Sequence, residues 1–224
     1  MNGGIARDSE QSALLGSTGV RPSISVLDYG MGNLRSVEKA LERAGARVEV
    51  TRDADRIRAA DGLVLPGVGA FPKAMKAVRD FGFDELMRAH VDAGKPALGI
   101  CLGMQLLFES SSELGGAEGL GLLEGAVTDL DAPGLKVPHI GWNEVAWTNG
   151  TAVAEGLSNP AAFYHVHSFA PRPANAEDVL GRSTYGSAFA SVVGRGNVFG
   201  VQFHPEKSGP DGLALLRNFV RLAA

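Results

Sequence analysis

Cysteine is almost absent from this sequence: Cys101 stands alone, so no disulfide can close within the chain. A reducing, cytoplasmic setting is expected. No run approaches the roughly 20 apolar residues of a membrane span, and Ala13-Leu14-Leu15 is far shorter than the roughly 7 to 15 apolar residues of a secretory signal. Blocks of like charge are missing as well. The 21 Lys and Arg are interspersed with 25 Asp and Glu, giving a net charge of -4, so neither nucleic acid nor membrane is expected as a partner. His90, His139, His165 and His167 lack the carboxylate and thiol neighbours of a metal site. Structural roles are expected for them, with no metal and no cofactor. There is no internal repeat.

What is present fits one compact domain, because 224 residues that are 45% hydrophobic suffice for a sizeable core. Residues 1–22, with Gly3, Gly4, Gly16 and Gly19 among Ser, Thr and charged residues, read as a flexible extension, with the fold beginning near Ser23. From there Ile24, Val26 and Leu27 suggest a strand, and Leu34, Val37, Leu41 and Ala44 a helix closed by Gly45. Val48 to Val50, Leu63 to Leu65 and Ala97 to Ile100 are further apolar runs of the kind buried on both faces of a parallel sheet. Phe71 to Phe81, Phe83 to Val91 and Leu102 to Glu109 carry helical periodicity. Strand-like pieces then follow at Ala126 to Leu130, Asn143 to Trp147, Ala162 to Val166, Val179 to Ser183, Ala188 to Val193 and Val198 to Phe203. Leu213, Leu216, Phe219 and Val220 close the chain on a helical stripe. The fold class expected is α/β, a central mostly parallel sheet flanked by helices, with antiparallel strands added in the second half.

Gly99-Ile100-Cys101-Leu102-Gly103 lies between an apolar strand and a helix and reproduces the G-x-S-x-G nucleophile elbow with sulfur in place of oxygen. Such a turn leaves no room for a Cβ at either glycine. The helix start favours thiolate, and the Leu102 N–H is free to donate to a developing oxyanion. The alternative for Cys101 is a small buried apolar residue. Its base is sought in His204-Pro205-Glu206, which follows the apolar run Val198 to Phe203. There residues two apart on an extended chain project to the same side, so His204 takes the thiol proton and Glu206 holds the ring, unless the pair simply faces solvent. Asp28 to Asn33 carries two glycines after a strand but has Arg35 where a dinucleotide fingerprint needs Gly or Ala. Pro66-Gly67-Val68-Gly69 lacks the Gly-Lys-Ser/Thr of a P-loop. Its bare backbone suits an oxyanion instead.

DYGMGNLRSV from Asp28, LPGVGAF from Leu65, GICLGMQLLF from Gly99, VPHIGWN from Val137, YHVHSF from Tyr164 and GVQFHPEKS from Gly200 together resemble the class I, triad-type glutamine amidotransferases. Among these, the resemblance is to the glutaminase subunits of imidazole glycerol phosphate synthase, and it runs from Ser23 to the end. It implies a triad of Cys101, His204 and Glu206, and an oxyanion hole from Val68 and Leu102. It also implies glutamine held by Gly67, Gly69, Gln105 and the backbone of His167, Ser168 and Phe169. The partner implied is a cyclase subunit that receives the ammonia in histidine biosynthesis, met through Gly30, Met31, Gly32, Asn33, Trp142 and Tyr164. For Trp142, core packing is the alternative, and for the glycines an ordinary turn. The competing readings are a class I amidotransferase serving another synthase and a non-catalytic regulatory protein of this fold.

Overall fold

The computed structural model describes residues 21–148 and 150–224, so the expected extension over residues 1–22 lies, but for Arg21 and Pro22, outside the described residues. Strands β1 (Ser23–Leu27), β2 (Arg47–Thr51), β3 (Gly62–Gly67) and β4 (Ala97–Cys101) alternate with α1 (Leu34–Arg43), α2 (Ala54–Ala59), α3 (Phe71–Asp80) and α4 (Phe83–Asp92). Helix α5 (Leu102–Leu106) follows β4 without a break. Then come β5 (Phe108–Ser111), β6 (Ala117–Glu118), β7 (Leu123–Asp129), β8 (His139–Trp147), β9 (Ala161–His167), β10 (Phe169–Pro173), β11 (Val179–Tyr185), β12 (Ser187–Arg195), β13 (Val198–Val201) and α6 (Gly209–Leu222).

The main sheet runs β2-β1-β3-β4-β13-β12-β11-β8-β9. Pairings among its first five strands are parallel and those from β13 onward antiparallel, as the change of character along the sequence implies. Alternation sends Leu63 and Leu65 of β3 into one apolar cluster and Val64 into the other. Both faces of the strand are therefore covered, which is why its sequence is uninterrupted in hydrophobicity. On one face α3 and α4 contribute Phe71, Met75, Phe83 and Met87, and on the other α1 and α6 contribute Val37, Leu41, Leu215, Leu216 and Phe219. Each such side chain, fully buried, contributes roughly 1.5–3 kcal/mol.

Three expectations are corrected and one element is added. Ala126 to Leu130 falls in β7 as far as Asp129, and β7 joins not the main sheet but a second, four-stranded one, β10-β7-β5-β6. The helix expected to reach Glu109 ends at Leu106, because the carbonyls of Leu106 and Leu107 accept from the N–H groups of Leu120, Leu122 and Leu123. That returning segment draws Phe108 into a strand. Helix α2 has no counterpart in the apolar pattern; it is short, and Asp53 caps it by accepting from the N–H groups of Asp55 and Arg56. In α6 the inward position is held by Leu215, whereas Leu213 is half-buried.

The site-bearing turn depends on close approach. A Cβ on Gly103 would lie 1.7 Å from the Leu65 carbonyl oxygen, and one on Gly99 would lie 2.6 Å from the carbonyl oxygen of Gly103. Gly99 thus meets the start of the helix as the elbow pattern implies, but Gly103 is constrained by the neighbouring strand. Gly103→Ala is expected to lower unfolding stability by at least about 3 kcal/mol in urea titrations. Gly150→Ala, which meets nothing within 4 Å, is expected to leave it within roughly 0.5 kcal/mol.

Candidate active site

Cys101 has φ 56° and ψ -111°, a left-handed backbone that a side-chain-bearing residue seldom adopts. Register pairing of β3 with β4 puts Gly67 directly beside it, so the Cys101 turn and the Pro66–Gly69 loop share one sheet edge. A Cβ on Gly67 would lie 3.0 Å from the Leu102 side chain, and Gly69 has φ +102°. Tyr29, buried, donates its hydroxyl to the Pro66 carbonyl at 2.5 Å and so ties β1's end to this loop. Burial, then the nearby Cys101, holds that hydroxyl above the ordinary tyrosine range.

β13 pairs parallel to β4 on its other side and carries the chain toward His204. Backbone bonds fix the segment: His204 N–H donates to Tyr164 O at 2.9 Å, and Ser208 Oγ donates to His204 O at 2.7 Å. His204 is extended, as its position before a proline favours, but Pro205–Lys207 is a 3-10 turn. The carboxylate therefore reaches the ring through a turn, and the side-chain alternation of a continuous strand has no part in it. His204 Nδ1 lies 2.9 Å from Glu206 Oε1, and neither side chain is more than 6% exposed. The solvent-facing alternative for the pair is thereby overturned. Glu206 Oε2 has no partner among the described residues, so the carboxylate's charge is directed at the ring.

Burial opposes charge on His204, but hydrogen bonding to Cys101 and Glu206, together with their charges, outweighs it and raises the ring to about 9. With Nδ1–H donated to Glu206, Nε2 is the nitrogen left for the thiol.

The other expected residues cluster here to different degrees. Gln105, in α5, donates its Nε2 to Phe169 O at 3.1 Å and to Gln202 Oε1 at 3.1 Å. His167 ends β9 and Phe169 opens β10, beside Cys101, whose Sγ donates to Val166 O at 3.7 Å. The backbone there is partly engaged: Ser168 O accepts from Leu130 N–H, and Phe169 O also takes His167 Nδ1–H at 2.9 Å. Val68 is 44% exposed. Trp142 is 59% exposed and crosses the pair to Tyr164, which removes the core-packing alternative. The turn Gly30 to Asn33 packs on the Pro66–Gly69 loop, with Met31 Cε 2.9 Å from where a Gly69 Cβ would stand. Three residues at the site escaped the motif reading: Tyr29, Val166 through its carbonyl, and Gln202. For Gln202 the signal was there, a buried amide in an otherwise apolar run.

The remaining histidines are accounted for by neutral hydrogen bonds. His167 Nδ1–H points to Phe169 O, so its Nε2 accepts from His139 Nδ1 at 3.0 Å. His165 likewise donates to Phe163 O and accepts from Ser191 Oγ at 2.8 Å. Burial, and then in each case the neighbouring histidines, lowers His165 to about 3; burial chiefly lowers His167 to about 4. His90 is lowered to about 4 by burial and bonds the Pro96 carbonyl. Among the described residues no group of three or more His, Cys, Asp or Glu side chains is arranged to hold a metal ion, and no helix is long and apolar enough to cross a membrane.

Residues 25–223 match the family model "Glutamine amidotransferase class-I". The chain belongs to the class-I glutamine amidotransferase family. Within this family it is 51% identical over 203 residues to the imidazole glycerol phosphate synthase subunit HisH of Moorella thermoacetica, covering 91% of this chain and 96% of that one. It is 49% identical to the same subunit of Bacillus cereus, covering 88% and 93%. A solved glutamine amidotransferase superposes with a TM-score of 0.71 at 25% identity over 89% of this chain and 98% of that one. PurLQS from Thermotoga maritima shares the fold, with a TM-score of 0.70 at 21% identity over 90% and 99%.

A raised His204 has a signed consequence for stability. Its charged form stabilises the fold fully below the unfolded value near 6.5, and that contribution is lost as pH rises through about 9. The urea midpoint of this amidotransferase should therefore exceed that of His204→Asn by an amount that shrinks between pH 6.5 and 9. A difference that grows over that window contradicts the assignment.

Proposed function

We propose that Cys101, His204 and Glu206 hydrolyse L-glutamine, and that the ammonia passes to the cyclase subunit of imidazole glycerol phosphate synthase. The observation that carries this reading is a thiol on a strained elbow whose histidine is raised jointly by that thiol and by a buried carboxylate. Cys101 Sγ, its proton passed to His204 Nε2, attacks the side-chain amide carbon. The carbonyl electron pair moves to oxygen, held by the N–H groups of Leu102 and Val68. As the pair returns, the C–N bond breaks and His204 gives its proton to departing ammonia. Water, deprotonated by His204, then attacks the thioester, and glutamate leaves with the sulfur restored. Gly67, Gly69, Gln105 and the backbone of His167, Ser168 and Phe169 hold the substrate's remaining polar groups. Residues 23–224 constitute the amidotransferase domain, and a reducing cytoplasm keeps Cys101 a thiol.

Two links favour control of this site by a partner. Tyr164, beside exposed Trp142, accepts from the backbone of His204, and Met31 touches the loop that carries Val68. Trp142 and Ile140, at 59% and 60% exposed, lie two apart on β8 and form an apolar patch for the cyclase to cover. Service to a different synthase is disfavoured, since the structures bearing other names match at or below 21% identity against 51% for the HisH subunit.

Cys101→Ala is expected to lower glutamine-dependent synthesis by the assembled complex at least about 10³-fold while ammonia-dependent synthesis persists. Retained glutamine use would exclude this nucleophile. Trp142→Ala is expected to weaken partner binding about tenfold or more in calorimetric titration. Unchanged affinity there would remove β8 from the interface.

A further inference from the structure

Gln202 has no exposed surface, follows β13 directly, and lies two residues before the base. Its Nε2 is 3.8 Å from Cys101 Sγ, within hydrogen-bond reach of sulfur. Its Oε1 accepts from Gln105 Nε2, which also donates to the Phe169 carbonyl. That carbonyl is an acceptor only, so it fixes which end of Gln105 faces it. Gln105 in turn fixes Gln202, because a reversed Gln202 amide would set two NH2 groups against each other and turn an oxygen toward the sulfur.

We infer that Gln202 is a further catalytic side chain whose amide N–H stabilises the Cys101 thiolate, held in the donating orientation by Gln105. The inference rests on the reading of Cys101 as the glutaminase nucleophile. The sulfur has one neutral acceptor neighbour, Val166 O at 3.7 Å, which suits a thiol and disfavours a thiolate. Gln202 acts in the opposite sense, since a hydrogen bond to a charged acceptor is stronger than to a neutral one. It is engaged twice: when Cys101 surrenders its proton to His204 before attack, and when the C–S bond of the thioester breaks and its electron pair returns to sulfur. The other titratable groups facing the sulfur are His204, after β13, and Tyr29, after β1. Gln105 touches no reacting sulfur and acts on it as a positioning residue.

The test follows the rate of Cys101 alkylation by iodoacetamide against pH, in the full chain assembled with its partner. Gln202→Met keeps the volume and removes the donor. It is expected to move the alkylation profile about one pH unit upward and to lower glutaminase kcat roughly tenfold, with KM within about twofold. Gln105→Met frees the Gln202 amide to rotate and is expected to move the profile the same way by a smaller amount, about threefold in rate at fixed pH. A Gln202→Met profile that overlays the wild type overturns the inference. If that variant does not assemble, an unmoved Gln105→Met profile overturns it equally. Cys101→Ala, run alongside, separates the two readings: glutamine hydrolysis surviving in that variant defeats the nucleophile assignment and not merely the role of Gln202.

Discussion

Everything at this site depends on the contact between Gly103 and the Leu65 carbonyl. The first turn of α5 can lie against β3 only if position 103 has no side chain, and that approach is what bends the chain into a left-handed conformation at Cys101. Cys101 is thereby presented at the carboxyl edge of the sheet, between β3 and β13. Both neighbours are parallel to β4, so all three strands deliver their ends to the same edge. β3 brings the glycine loop with Val68, and β13 leads into His204. In open α/β sheets ligands gather at this edge for the same reason.

The second half of the chain supports Cys101, His204 and Glu206 from outside the parallel strands. β9 runs beside the His204 segment, and Tyr164 O accepts from the His204 backbone N–H. The turn from β9 to β10 sets the carbonyls of Val166 and Phe169 against Cys101 and Gln105. Phe169 belongs to the small second sheet, paired with Asp129 of β7. The small sheet is therefore not peripheral decoration: it holds the acceptor that orients two glutamine side chains beneath the sulfur.

Electrostatics at the edge divides histidines of the same residue type into two states. His204, paired with a buried carboxylate, is raised to about 9, whereas His165 and His167, equally buried but bonded to neutral groups, are lowered to about 3 and 4. Burial opposes charge in all three, so the partner decides. A charged ring beside neutral ones confines the proton to the one histidine that faces the thiol.

The sequence by itself determined the parallel strands with the helices that carry an apolar stripe, the elbow around Cys101 and the His-Pro-Glu segment, because each is local: an apolar run, a glycine spacing, a proline after a histidine. It was silent on whatever depends on which distant backbone arrives nearby. The early end of α5 follows from the returning Leu120 to Leu123 segment, and the second sheet from the pairing of β7 with β10. The clash at Gly103 comes from β3, nearly 40 residues away in the chain. Gln202 stood out only as an amide in an apolar run, and folding alone set it against the sulfur. Residue identity specifies what chemistry a side chain is capable of, and only tertiary packing decides which atom, of what charge, it meets.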